Sequence, residues 1–128
     1  MFTFRKDERL CSKKLIDEVF QQGHRVMAFP FSAHWMLVPE GIIPQPAQVL
    51  ISTSKRKFHH AVDRNRVKRL MRECYRLHKP ELYEFLNQRN LHLVISLNYI
   101  HTDIFEFGTL ENKYRKLLST LQKEIEKA

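Results

Sequence analysis

Positive charge in this chain is concentrated in residues 55–79, KRKFHHAVDRNRVKRLMRECYRLHK. This stretch holds ten of the twenty-two Lys and Arg residues and only two acids, Asp63 and Glu73. Ten minus two gives +8, the formal net charge of the whole chain of 128 residues, so the other 103 residues are neutral overall. A charge excess confined to one short segment indicates a binding site for an anionic partner.

From Arg64 onward, this stretch also has the apolar spacing of an amphipathic helix. The residues of the predicted buried face recur at intervals of three and four: Val67, Leu70, Met71, Cys74, Leu77 and His78. The opposite face carries Asn65, Lys68, Arg69, Arg72 and Arg76. Asp63 is a candidate N-cap, although the helix could also begin at Ala61. Pro80 is expected to end or kink the helix.

The placement of these cations is unfavourable for an isolated helix. Positive charges near a helix N-terminus oppose the macrodipole, and cations four residues apart, such as Arg64, Lys68 and Arg72, repel by about 0.3 kcal/mol per pair. Bound phosphate groups would make this placement favourable, because guanidinium groups and the free N–H groups of the first turn attract them. A solvated basic face is the ordinary alternative, but the isolation of the run and its many Arg residues favour nucleic acid as the partner.

Two further helices are predicted outside the basic stretch, together with a short one after it. Ser12 can cap a helix with an apolar stripe, and Gly23 closes that helix. Residues 80–90 are expected to form a short helix. A Leu-rich helix that begins near Asp103 or Thr109 ends the chain.

Three strands complete the predicted fold. Alternating apolar residues predict strands at 29–38 and 91–99, and Trp35 is expected to pack in the core. Residues 48–54 form a strand that leads directly into the basic stretch, whereas 39–47 hold three prolines and a glycine and are expected to form a loop. The order α-β-β-α-(α)-β-α predicts an α+β fold, with helices packed on a small mixed sheet.

Composition restricts the class of protein. A hydrophobic content of 43% is that of a globular chain, and residues 1–128 are expected to form one domain. The sequence has no run of eighteen apolar residues, so no membrane span is predicted. Residues 1–10 lack the apolar stretch of a signal peptide. Cys11 and Cys74 have no framework spacing, so reduced thiols and a cytoplasmic location are expected.

No arrangement of side chains predicts catalysis by the protein itself. The fourteen carboxylates show no spacing that would gather a metal ion, and no Ser–His–Asp or Cys–His order is present. Cys74 and His78 are one helical turn apart, but two ligands do not make a zinc site. His59 and His60 could serve a nuclease as acid and base, although neighbouring side chains point apart in an extended chain.

The run A-V-x-R-N-R-x-K-R-x-x-R-E at residues 61–73, which follows a strand ending in Ser-Lys-Arg, resembles the signature of the bacterial ribonuclease P protein subunit. The first helix with Val19 and Phe20, the glycine at Gly23, the aromatic-rich strand and the last helix are also similar. This resemblance implies a small subunit that binds a catalytic RNA and helps it to remove the 5′ leader of precursor tRNA. It also implies a left-handed β–α–β crossover, contrary to the usual right-handed rule.

The resemblance and the charge pattern together assign the basic segment to RNA. The expected RNA-binding residues are Lys55, Arg56, Lys57, Arg64, Asn65, Arg66, Lys68, Arg69, Arg72 and Arg76. Of these, Arg64 and Lys68 are expected to face solvent, so that replacing them would leave the fold intact. Asn65 would orient the first helical turn or bind RNA by a hydrogen bond.

The family has a cleft between its first helix and its sheet that contacts single-stranded leader. Here the expected cleft residues are Ile16, Phe20 and His34, and Phe20 matches a cleft aromatic of the family. Ile16 and His34 occupy positions that are usually aromatic. Stacking of a base on Phe20 or His34 would contribute about 1–3 kcal/mol. Core packing is the alternative for Phe20, because its spacing matches the apolar stripe of the helix.

The implied chemistry belongs to Mg²⁺ bound mainly by the RNA subunit, and the protein has no catalytic side chain of its own. The expected partners are the catalytic RNA and precursor tRNA, with no membrane and no small-molecule substrate. His59 lies where the family carries a glycine, which predicts a reshaped loop. Two other functions stay open: a basic-helix DNA- or rRNA-binding module without a role in tRNA processing, and an independent nuclease.

Overall fold

The computed structural model describes residues 5–54 and 56–127, which form three α-helices, four strands and one short 3-10 helix at Lys6–Glu8. In chain order the elements are α1 (Lys13–Gln22), β1 (His24–Ala28), β2 (Phe31–Val38), β3 (Ala47–Thr53), α2 (Ala61–Gln88), β4 (His92–Tyr99) and α3 (Phe107–Lys127). This confirms the α+β class and the predicted order of the long elements.

The four strands form one mixed sheet in the order β1-β2-β4-β3. β1 pairs with β2 and β2 with β4 in antiparallel fashion, whereas β3 and β4 are parallel neighbours. α2 connects these two parallel strands, which confirms the predicted β–α–β unit. The left hand of that crossover stays a prediction.

Both faces of the sheet are covered. The main core lies between one face and helices α2 and α3, and Phe31, Trp35 and Tyr99 are among its buried members. Trp35 is only 2% exposed, which confirms its predicted core position, and its indole Nε1 donates to Glu124 Oε2 at 3.3 Å. A smaller cluster lies under α1 on the other face and consists of Leu10, Val19, Ile43 and Val94.

Strand β1 was not predicted from the sequence. The structure divides the region around the predicted strand 29–38 into a hairpin of β1 and β2, which turns at Phe29 and Pro30 through a cis peptide bond. Within β1 only Val26 is buried, so its five residues show no alternation that a pattern search would detect. The strands predicted at 48–54 and 91–99 are confirmed to within one residue.

Pro80 does not end the basic helix, which was one of the two outcomes expected of it. α2 continues through Pro80 to Gln88 and is 28 residues long, so the short helix expected at 80–90 is its C-terminal part. Leu82 and Leu86 lie beyond the proline and are almost completely buried. Burial of such side chains is worth about 1.5–3 kcal/mol each, which offsets the backbone hydrogen bond that proline cannot make.

The predicted N-cap of α1 is confirmed, and α2 begins at Ala61, the earlier of the two predicted starts. Ser12 Oγ accepts a hydrogen bond from Leu15 N at 3.3 Å, which confirms it as the N-cap of α1. α2 begins at Ala61 after His60, and Asp63 lies in its first turn, so Asp63 is not the N-cap.

Gly23 ends α1, as predicted. Glycine is needed at this position for lack of space and not for its backbone conformation. Its φ of −73° is open to any residue. A Cβ at this position would lie 2.2 Å from the carbonyl oxygen of Val19 and 2.9 Å from that of Trp35. Glycine is required here because the last turn of α1 and the backbone of β2 leave no room for a side chain.

Candidate nucleic-acid interface

The basic face of α2 is presented to solvent. Asn65, Arg66, Arg69 and Arg72 are exposed, and Lys68 is half-buried. On the opposite side, Val67, Met71 and Cys74 are fully buried in the main core. Burial raises the pKa of the Cys74 thiol to about 12, with smaller contributions from Glu111 and Glu73, so this cysteine is an inert core residue. The predicted division of the helix into an apolar and a cationic face is confirmed.

Arg64 has a different role from its neighbours on the basic face. Its Nη1 donates to the backbone carbonyl oxygens of Phe58 at 2.8 Å and His59 at 3.0 Å. Phe58 is buried against Tyr99, with ring centroids 5.9 Å apart, so Arg64 fastens the loop before α2 to the body of the protein. Arg64 and Lys68 were both expected to face solvent; both are half-buried, and Arg64 departs from the expectation because its guanidinium is hydrogen-bonded to the protein itself.

The loop between β3 and α2 presents two further cations. Arg56 and Lys57 are exposed, and Arg56 N donates to Ser54 Oγ at 3.0 Å. Lys55, which was assigned to the same surface, lies outside the described residues. His59 needs no glycine-like backbone, since Asn90 is the only non-glycine residue with positive φ in the described part of the chain.

Arg76 forms an ion pair within its own helix. Its Nε donates to Glu73 Oε2 at 3.0 Å, and its Nη2 pairs with Glu73 Oε1. The hydrogen bond from Arg76 holds the pKa of Glu73 below its ordinary value. Arg76 is therefore the predicted RNA-binding residue whose charge is most directly balanced by a carboxylate of the same chain.

The predicted cleft residues lie together on the face of the sheet covered by α1. Phe20 is 48% exposed, so it is not a core residue, and its ring centroid lies 5.1 Å from that of His34. Burial, and then the charge of Arg25, hold the pKa of His34 below its ordinary value of 6.5. Ile16 is half-buried and packs against the small cluster under α1. The structure thus pairs Phe20 with His34 and places Ile16 at the edge of a core.

Arg25 is a cation near the cleft that sequence reasoning missed. It lies on β1 directly across from His34, and its Nε donates to Ser32 Oγ at 3.2 Å. The residue was overlooked because β1 itself was overlooked. Had the hairpin been recognised, the pairing of strands would have placed Arg25 beside His34.

The described residues contain no group of three His, Cys, Asp or Glu side chains that could hold a metal ion. None of the helices in residues 5–54 and 56–127 combines the length and apolar character needed to cross a bilayer.

Residues 4–122 match the family model described as Ribonuclease P. The chain belongs to the ribonuclease P protein family. The "Ribonuclease P protein component" of Porphyromonas gingivalis strain W83 is 34% identical over 117 residues, which cover 91% of this chain and 85% of that relative. The protein of the same name from Petrotoga mobilis is 32% identical over 94% of this chain and 96% of its own length.

Solved structures of ribonuclease P proteins share the fold. The protein from Staphylococcus aureus superposes with a TM-score of 0.70 at 22% identity and covers 89% of this chain and 94% of its own. The protein from Thermotoga maritima gives a TM-score of 0.63 at 18% identity over 91% of this chain and 96% of its own. The family suggested by the run at residues 61–73 is confirmed.

Proposed function

We propose that this chain binds the catalytic RNA of ribonuclease P and the 5′ leader of precursor tRNA, and thereby promotes removal of the leader. As a protein component of ribonuclease P, it is a subunit of a ribonucleoprotein endoribonuclease that makes the mature 5′ end of tRNA. The observation that carries the proposal is the exposed cationic face of α2, in a chain that matches the ribonuclease P family over residues 4–122.

The charges of this face are available to phosphates. No carboxylate of the described residues forms an ion pair with Arg66, Arg69 or Arg72. These guanidinium groups suit forked contacts to phosphate oxygens. Arg56 and Lys57 extend the surface from the loop before the helix, next to the first turn, where free N–H groups add to the attraction.

The leader is proposed to cross the pair formed by Phe20 and His34. Phe20 offers an exposed ring, and the lowered pKa of His34 keeps its imidazole neutral at pH 7. Neutral aromatic rings stack on bases with little regard to sequence. Arg25 is placed to attract the phosphates of a nucleotide that stacks there.

We further propose that the Mg²⁺ ions act on the RNA. The described residues gather no set of ligands for a metal, and the cationic face of α2 would repel a divalent ion. The protein would raise the affinity of the catalytic RNA for its substrate through electrostatic contacts. We also propose a cytoplasmic location for the protein, and the free thiols of Cys11 and Cys74 agree with it.

The rival function, a DNA- or rRNA-binding module, gains no support from the family match. Equal affinity for duplex DNA and for structured RNA at physiological salt would favour a DNA-binding module. Comparing the two affinities at one salt concentration separates it from the proposed function.

Reconstitution is the direct test. Added to a bacterial ribonuclease P RNA at low Mg²⁺, the protein is expected to restore cleavage of precursor tRNA at the leader junction. A triple variant, Arg66→Ala, Arg69→Ala and Arg72→Ala, should lose most of this stimulation. The matched control replaces three exposed cations of α3, Arg115, Lys116 and Lys123, and should retain it. Wild-type protein without any stimulating effect would refute the proposal.

A further inference from the structure

The segment before α1 is fastened to the far half of α2 by a buried carboxylate. Glu8 is 2% exposed, and its two carboxylate oxygens accept hydrogen bonds from Lys79 Nζ at 2.9 and 2.7 Å. The hydroxyl of Tyr83 donates to Glu8 Oε2 at 2.6 Å, and the backbone N–H of Arg5 donates to Oε1 at 2.9 Å. A buried charge with this many partners fixes the backbone around it.

A second attachment holds the same segment to the sheet. Leu10 is buried, and its N–H donates to the carbonyl oxygen of Val49 on β3 at 2.9 Å. Arg9 forms a parallel bridge with Val49. Residues 5–10, called here the lead, are therefore held at both ends against α2 and the edge of β3.

The lead lines a large, open cavity together with the start of α1 and the loop after β2. Its volume is about 900 Å³, and Leu15, Val38 and Ile42 form part of its wall. The charged side chains around it are four cations and two carboxylates, Arg5, Lys6, Arg9, Lys14, Asp7 and Glu18, so cations are in excess by two.

Among the polar groups of the wall is the carboxylate of Asp7. Asp7 Oδ2 accepts a hydrogen bond from Gln45 Nε2 at 2.8 Å, while Asp7 Oδ1 is buried without a partner among the described residues. The first turn of α1 contains no acid but does contain Lys13 and Lys14. As in α2, these cations oppose the helix dipole unless an anion is bound beside them.

The cavity adjoins the basic face of α2. Arg9 and Arg72 both line a smaller cavity of about 160 Å³, together with Cys11 and Leu50. Arg9 also lines the large cavity, so it lies between the cations of the lead and Arg72 of α2. An extended polyanion bound along α2 can therefore reach the lead by way of Arg9.

We propose that the cavity behind the lead is a second RNA site, which holds a phosphodiester segment through Lys6, Lys14 and Arg9. Glu8 is a positioning residue for this site, because its bonds to Lys79 and Tyr83 hold the lead in place. The proposal rests on the proposed function and deepens it, since it adds a contact outside both α2 and the Phe20–His34 pair. The phosphates could belong to the catalytic RNA or to precursor tRNA.

The test uses a double variant, Lys6→Ala with Lys14→Ala. Both side chains are exposed, so the fold should be unaffected. Loss of two phosphate contacts is expected to weaken RNA binding on the order of tenfold and to make the log–log salt slope less negative by about 1.5. The matched control, Lys116→Ala with Lys123→Ala, removes the same charge from α3 and should bind as wild type does.

Two binding assays separate the sources of the phosphates. One measures binding of the protein to the catalytic RNA alone, and the other measures binding of precursor tRNA to the assembled holoenzyme. A loss in either assay supports the site and names its ligand. Equality of the two double variants in both assays overturns the inference while leaving the proposed function intact. Wild-type protein that fails to bind the catalytic RNA refutes both.

The positioning role of Glu8 is tested by non-additivity. Glu8→Ala should weaken RNA binding in the wild-type background but have little further effect once Lys6 and Lys14 are already Ala. The Glu8→Ala protein must be shown to be folded at the assay temperature by circular dichroism. Full additivity of the losses would show that Glu8 does not act through the lead.

Discussion

Arg64 and Lys68 lie one turn apart on α2, yet their surroundings differ. The guanidinium of Arg64 donates to two backbone carbonyl groups of the preceding loop. The Lys68 ammonium has no hydrogen-bond partner or ion pair within residues 5–54 and 56–127. The spacing of the sequence identifies both as cations of one ridge, but it contains no information on where the carbonyl groups of Phe58 and His59 point.

Arg64→Ala is expected to lower the free energy of unfolding by about 1–2 kcal/mol, because two carbonyl groups lose a charged donor in a half-buried position. Lys68→Ala should change it by less than about 0.5 kcal/mol, since no comparable bond is removed. Both variants should weaken RNA binding. Urea denaturation checks the stabilities, and equal stabilities for the two variants would contradict the structural role of Arg64.

The pair formed by His34 and Arg25 gives a prediction about protonation. Burial lowers the pKa of His34, and the positive charge of Arg25 lowers it further by disfavouring the imidazolium. Arg25→Gln should therefore raise the pKa of His34 towards 6.5 without restoring it fully, since burial remains. An NMR titration of the imidazole signals measures the shift. Lys123→Gln is the control that should leave it unchanged, and no response to Arg25→Gln would show that the two groups are uncoupled.

The elements show which features a sequence pattern can reveal. The period of 3.6 located the two faces of α2, and alternation located β2 and β4, because both patterns record burial along a single element. β1 was not predicted because only one of its five residues is buried. The continuation of α2 through Pro80 was not predicted either, since it depends on a core that is completed by distant residues such as Leu93 and Leu117. The Glu8–Lys79 contact joins positions 71 apart, which no local pattern can reveal.

Pro80 lies inside α2 and has no N–H for the carbonyl group four residues earlier. Pro80→Ala restores that hydrogen bond and removes the steric conflict. It also makes the unfolded chain more flexible, which opposes folding by about 0.4–1 kcal/mol. The net expectation is a stabilisation of about 1–2 kcal/mol, measured by thermal or urea unfolding. Glu81→Ala at the next, exposed position should change stability little. A less stable Pro80→Ala protein would mean that the proline fits its site better than alanine does.

Glu8 links the lead to α2 and makes stability depend on pH. Burial raises the pKa of its carboxyl group, but the hydrogen bonds from Lys79, Tyr83 and Arg5 and the charge of Lys79 outweigh burial, so the net pKa is lowered. A lowered pKa in the folded state stabilises the protein above the unfolded value of about 4.5, and this contribution is lost as pH falls through the folded pKa.

Glu8→Gln should therefore be less stable than wild type at pH 7, and the difference should shrink as pH falls below about 4.5. Urea denaturation at a series of pH values gives both curves. Glu40→Gln, at an exposed loop position, serves as the control. A difference between Glu8→Gln and wild type that stays constant into the acid range would show that the Glu8 charge does not contribute.

At the scale of the whole molecule, the surplus of positive charge is confined to one side of an otherwise neutral chain. The exposed cations of α2 and of the loop before it lie together, and the lead continues the same surface. If six to eight phosphates are contacted, affinity for the catalytic RNA should fall with salt with a log–log slope on the order of −5 to −7. Filter binding between 50 and 300 mM salt, as approximate limits, measures it. A slope near zero would exclude the electrostatic account.

The position of β4 in the sheet has a consequence for biosynthesis. β2 and β3 have no strand contact with each other, because β4 lies between them, and β4 is the last strand to leave the ribosome. The sheet on which α2 packs is thus assembled only after the chain has been translated past Tyr99. A nascent chain that has already exposed the arginines of α2 still lacks the scaffold that aligns them, so the proposed RNA partner can meet an ordered surface only after β4 has been made.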